Sequence, residues 1–154
     1  MHLLFVCTGN TCRSPIAAAL ARRIADERGL TDLEIESAGT STADGQPASD
    51  GAVLVALERQ LDLTGHRARQ LTPEQVDAAD LILVMGPHHL ERVEALGGAG
   101  KAYLLTAYSS RGSEGRPVSD PFGGDLETYR ATVEELDTEI RRAVDRLVGE
   151  RTAS

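Results

Sequence analysis

Residues 5–15 read FVCTGNTCRSP, and this stretch decides the fold. Upstream of it, HLLFVC at residues 2–7 is a short apolar run that predicts a buried strand. Downstream, Ser14 and Pro15 predict a helix start, with serine at the N-cap and proline at the first helical position. Ile16, Leu20 and Ile24 then recur on one face, and the helix is expected to reach about Arg28, with Gly29 just past its end. Strand, tight loop and helix N-terminus in that order open a parallel α/β unit.

The rest of the chain repeats the alternation. LEIES (33–37) predicts a second strand, AGTSTADGQPASDG (38–51) a loop, and AVLVALERQL (52–61) a helix. Thr72-Pro73-Glu74-Gln75 is a capping box before a short helix. DLILVM (80–85) predicts a third strand, followed by a helix from about Pro87 to Leu96, and KAYLLT (101–106) a fourth strand. Residues 107–125 read as one long loop, a length that usually carries function. Leu126, Tyr129, Val133, Leu136, Ile140, Val144 and Leu147 form the apolar face of a closing helix. The expected fold is a single α/β domain over 1–154, with a four-stranded parallel sheet covered by helices on both faces. Ligands of such sheets bind at the carboxyl ends of the strands, where the loop after Cys7 begins.

The loop has the composition of an anion site. Cys7 and Arg13 frame five residues, Thr8 to Cys12. Successive N–H groups in such a loop converge into an anion nest, and the following helix adds the positive end of its dipole. Gly9 is expected to supply unusual torsions and Asn10 a left-handed conformation. Arg13 offers a planar fork that matches two phosphate oxygens. These groups are expected to pull the Cys7 pKa below the ordinary thiol value of about 8.5, giving a nucleophilic thiolate. Taken alone, a C-x5-R spacing fits a buried cysteine before a plain turn better than a phosphate site. The agreement of strand, loop, cap and helix favours the phosphate reading. The Gly-Lys-Ser/Thr ending of a nucleotide P-loop is missing, and four residues rather than two separate the cysteines, which excludes a thioredoxin motif. In the long loop, Asp120-Pro121-Phe122-Gly123-Gly124 places a carboxyl group suited to proton donation and an apolar ring suited to packing on a flat substrate. By itself this pentapeptide reads as a turn.

Bulk properties narrow the function classes. The chain of 154 residues is 41% hydrophobic and 26% charged, with a formal net charge of −8, which argues against nucleic-acid binding. No apolar run is long enough to span a membrane, and a cytoplasmic location with reduced thiols is expected. Cys7 and Cys12 are the only cysteines. The four histidines, His2, His66, His88 and His89, form no metal-ligand pattern, and His88-His89 reads as a solvated or capping pair. No metal and no cofactor is expected.

VCTGNTCRSP and DPFGG together resemble the low-molecular-weight protein phosphatase family, and SAGT (37–40), GHRARQLT (65–72) and LILVM fall in that family's order. The resemblance runs from Leu3 to about Val148. It implies a metal-independent cysteinyl-phosphate mechanism on phosphorylated proteins, with inorganic phosphate as product. It assigns Cys7 as nucleophile, Arg13 as phosphate clamp and Asp120 as acid and then base. Ser14 would hydrogen-bond Cys7, Asn10 would hold the loop, and Thr8, Gly9, Thr11, Cys12 and Phe122 would complete the pocket. Cys12 would trap oxidised Cys7 as a reversible disulfide. Two departures from the tyrosine-specific branch stand out. Thr11 replaces a bulky aliphatic residue, and residues 41–50 contain no aromatic. In this the chain resembles the bacterial protein-arginine phosphatases, with phosphotyrosine as the alternative substrate. Arsenate reductases share the fold but need a further cysteine that this chain lacks. A non-catalytic redox-sensing or phosphate-binding module would keep the loop without needing Asp120.

Overall fold

The computed structural model describes residues 1–153. The elements run β1 (His2–Cys7), α1 (Arg13–Glu27), β2 (Glu34–Gly39), α2 (Asp50–Glu58), α3 (Pro73–Ala78), β3 (Leu81–Val84), α4 (Pro87–Val93), β4 (Ala102–Leu104), α5 (Leu105–Ser109) and α6 (Leu126–Ala153). Residues Glu94–Gly98 continue from α4 in a wide turn that breaks at Gly97, where φ is 104°. The four strands form one parallel sheet in the order β2-β1-β3-β4. The chain moves from β1 to one flank and then returns to the other, so β1 lies at the switch point where open α/β sheets bind ligands.

Alternation along β1 divides the core in two. Leu3, Phe5 and Cys7 face a cluster built with α1, α2, α5 and α6, through Ile16, Leu20, Val55, Leu105, Leu136 and Ile140. Leu4 and Val6 face the opposite side, where Val76 of α3 and Val93 of α4 cover them together with Ile82 and Val84. A strand buried on both faces has no polar positions to alternate with, which is why β1 and β3 read as continuous apolar runs.

Three local expectations change. The long loop is shorter than its composition suggests, because Leu105–Ser109 forms α5 and β4 stops at Leu104. Leu105 and Tyr108 bury against the core and stabilise a turn of helix that propensity alone does not demand. Leu126 leaves the apolar stripe of α6 and is exposed, whereas Tyr129 to Leu147 on that stripe are buried. The helix expected at 52–61 starts earlier, at Asp50, because the Ser49 hydroxyl accepts the Ala52 N–H as its N-cap. The capping box at Thr72 and Gln75 forms as read. No helix among the described residues is long and apolar enough to cross a membrane.

Candidate active site

The loop Thr8–Cys12 leaves β1 and turns directly into α1. Its shape is set by Asn10, fully buried and left-handed at φ 55°. Asn10 Nδ2 donates to Ser14 Oγ at 2.8 Å and to Ser37 Oγ at 2.9 Å. Its Oδ1 accepts the Arg69 N–H at 2.9 Å, and its carbonyl accepts His66 Nε2–H at 2.7 Å. Asn10 therefore ties the loop to α1, β2 and the segment before α3. Gly9 does not supply the unusual torsion expected of it, since it is absent from the residues of positive φ. A Cβ there would instead sit 3.4 Å from Thr11 Oγ1.

Ser14 is not the N-cap of α1. That position falls on Cys12, which makes no side-chain cap bond. The Ser14 hydroxyl points the other way, 2.8 Å from Cys7 Sγ. Because Asn10 already donates to this oxygen, the Ser14 hydrogen is free to go to sulfur. The local Ser-Pro signal loses to two buried partners that the sequence places far from a capping role.

Cys7 is buried, and its environment corrects the expected fall in pKa. Loss of hydration pushes the thiol above its ordinary value. The Ser14 hydroxyl, the Ser14 N–H, the Arg13 charge and the Asn10 N–H all pull the other way, favouring the thiolate. Burial outweighs them.

Arg13 is nearly buried, with Nη1 donating to the Val118 carbonyl at 3.0 Å and Nη2 at 3.6 Å from Asp120 Oδ2. Asp120 is half exposed, and its Oδ1 accepts the Phe122 N–H at 3.1 Å. Val118 N–H in turn donates to the Met85 carbonyl at the end of β3. The loop carrying Asp120 is thus pinned between Arg13 and the sheet. Cys7, Thr11, Arg13, Asp120 and the 71% exposed Phe122 share one cavity of about 620 Å³. Its far wall is Thr40, Ser41, Thr42, Gln46 and Gln70, none singled out in the sequence beyond SAGT and GHRARQLT.

Cys12 is buried as a free thiol, with Ser49 Oγ at 3.2 Å and Tyr129 Oη at 3.5 Å. Ser49 and Tyr129 bond each other at 3.1 Å. Both partners were invisible in the sequence, lying 37 and 117 residues away. His66 is half-buried, and burial lowers its pKa although donation to Asn10 pulls upward. The solvated reading of His88-His89 holds for His88 only. His89 is fully buried, with Nε2 at 2.7 Å from Thr8 Oγ1.

A cysteine under a helix N-terminus, a buried guanidinium and a facing carboxyl group form a pocket suited to an anion, with a thiol at its base. The chain matches the low molecular weight phosphotyrosine protein phosphatase family over residues 2–153 and belongs to it. It is 41% identical to a protein-arginine-phosphatase of Geobacillus stearothermophilus, covering 97% of this chain and 98% of that one. It is 38% identical to the low molecular weight protein-tyrosine-phosphatase PtpB of Staphylococcus haemolyticus, over 88% of this chain and 92% of that one. Among solved structures, a YwlE arginine phosphatase, a C7S mutant with a phosphorylated active-site serine, superposes with a TM-score of 0.92 at 34% identity, covering 100% of both chains.

Proposed function

We propose that this chain hydrolyses phosphoarginine in proteins through a cysteinyl-phosphate intermediate. The observation that carries the chemistry is the hydrogen-bond chain from Asn10 through Ser14 to Cys7, set beneath a pocket in which Arg13 faces Asp120. Cys7 sulfur attacks phosphorus in line, and an S–P bond forms as the P–N bond breaks. The electron pair of that bond passes to the guanidino nitrogen, which takes a proton from the Asp120 carboxyl group. Water then attacks phosphorus and gives its proton to the Asp120 carboxylate. The S–P bond breaks, and Ser14 receives the returning thiolate. Arg13 holds the equatorial oxygens throughout as a two-pronged donor. The thiolate is the reacting form, and Ser14, Arg13 and the loop N–H groups offset part of what burial costs its charge.

Substrate choice rests on Thr11, which lines the same cavity as Asp120. A guanidinium brings N–H donors that lose water on entry, and leaving one unpaired costs about 1–3 kcal/mol. The Thr11 hydroxyl offers an acceptor and takes less space than an aliphatic branch. The high identity to relatives named protein-arginine-phosphatase supports the same choice. The test compares kcat/KM on phosphoarginine and phosphotyrosine peptides for the parent and Thr11→Ile at one pH. The parent should prefer phosphoarginine, and the substitution should move the ratio about tenfold or more toward phosphotyrosine. A parent that prefers phosphotyrosine hands the assignment to the tyrosine reading, for which the exposed Phe122 ring at the pocket mouth is the natural stacking partner.

A further inference from the structure

His89 sits in the first turn of α4 with no solvent exposure, and its Nε2 reaches Thr8 Oγ1 in the phosphate loop. Its other ring nitrogen, Nδ1, is the one buried side-chain nitrogen or oxygen without a hydrogen-bond partner among the described residues. Burial first, then the neighbouring His88 and Arg13, push its pKa down to about 4. The ring is therefore neutral near pH 7 and carries a single N–H. That hydrogen belongs to one nitrogen or the other. On Nδ1 it would be a buried donor facing no acceptor, which folded proteins tolerate less readily than an unshared lone pair. Nε2 therefore carries it and donates to Thr8 Oγ1. The hydroxyl's own hydrogen must then point elsewhere. Thr8 Oγ1 has no second partner among the described residues, and Thr8 lines the pocket beside Cys7.

We propose that His89 fixes the Thr8 hydroxyl as a hydrogen-bond donor to the phosphate held in the pocket, adding a side-chain donor to the loop N–H groups and Arg13. The proposal rests on the phosphatase reading above. With the opposite tautomer, Thr8 would spend its hydrogen on the ring and present only lone pairs to an anion. His89 does not touch the substrate. It is a positioning residue that acts through Thr8.

The test uses Thr8→Val, His89→Leu and His89→Gln, whose amide N–H takes the place of Nε2–H. The reading is the competitive inhibition constant of inorganic phosphate, repeated as calorimetric phosphate binding. Thr8→Val should weaken phosphate about tenfold, and His89→Leu by a similar factor. The double variant should be no weaker than the worse single one, because both remove the same donor. His89→Gln should recover most of the loss. Nitrogen-15 spectra of the parent imidazole should show Nε2 protonated and Nδ1 bare. Unchanged phosphate affinity in Thr8→Val, additive losses in the double variant, or a proton on Nδ1 overturns the proposal. The spectrum needs only the parent protein, so it decides the matter even if His89→Leu does not fold. Failure of the phosphatase reading looks different, since the parent itself would then turn over no phosphorylated substrate.

Discussion

Replacing Ser14 with alanine removes one oxygen that stands 2.8 Å from both Asn10 Nδ2 and Cys7 Sγ. A hydrogen bond to a charged partner contributes about 1.5–3 kcal/mol, and each ~1.4 kcal/mol is a factor of ten in rate. The bond matters most when sulfur departs as thiolate, in hydrolysis of the intermediate. That step should slow about 10- to 100-fold. Rapid-quench experiments with a radiolabelled substrate should then show a stoichiometric burst of phosphoenzyme followed by slow turnover. Ser14 also pulls the Cys7 pKa down, so its loss should move the iodoacetate alkylation profile to higher pH. Asn10 Nδ2 keeps only Ser37, at a cost of about 1–3 kcal/mol to folding, which a lower denaturation midpoint registers separately. A kcat within twofold of the parent, with no accumulated phosphoenzyme, would refute the role given to Ser14.

Cys12→Ser should keep most activity, because the Cys12 thiol at the pocket wall is held by Ser49 and Tyr129, partners that a serine hydroxyl can also bond, but should recover poorly with dithiol after peroxide; equal recovery removes the protective role. Gly51→Ala would put a Cβ 2.5 Å from the Tyr129 ring, so it should cost about 1–3 kcal/mol in urea unfolding and disturb the Tyr129 contact to Cys12; an unchanged midpoint would show that the ring moves freely. His89 should make stability depend on acid. Folding lowers its pKa from 6.5 to about 4, so the unfolded chain takes up the proton first as pH falls. The stabilisation is complete above about pH 6.5 and fades toward pH 4, by at most about 3 kcal/mol. Urea midpoints across that range should fall in the parent and flatten in His89→Leu; parallel curves would place the titration elsewhere.

The sheet was legible because its information is local. Buried strands such as LILV and the capping box at Thr72 carry their signals within a few residues. The same holds for Cys7, Arg13 and the turn around Asp120. What escaped was set by contacts between distant segments. Ser14 looks like a cap until Asn10 and Cys7 claim its hydroxyl. His89 looks solvated until Thr8, 81 residues earlier, is brought against it. The thiol's environment could not be read either, since a motif displays its charges but not the depth at which it lies. Leu105–Ser109 escaped because Leu105 and Thr106 read as the end of the fourth strand and the rest as loop, whereas tertiary burial, not helix propensity, holds the segment as a helix.

Both N–H groups of the Asn10 side-chain amide are taken, its Oδ1 and its backbone carbonyl each accept a bond, and all four bonds are made within the protein. The loop is thus preorganised, and an incoming phosphate has no chain to order before it binds. On the mechanism proposed above, the same rigidity serves product as well as substrate, since inorganic phosphate keeps the charge and shape of the transferred group with no covalent tail to pull it away. Turnover would then depend on letting go of phosphate, and added phosphate should compete for the pocket.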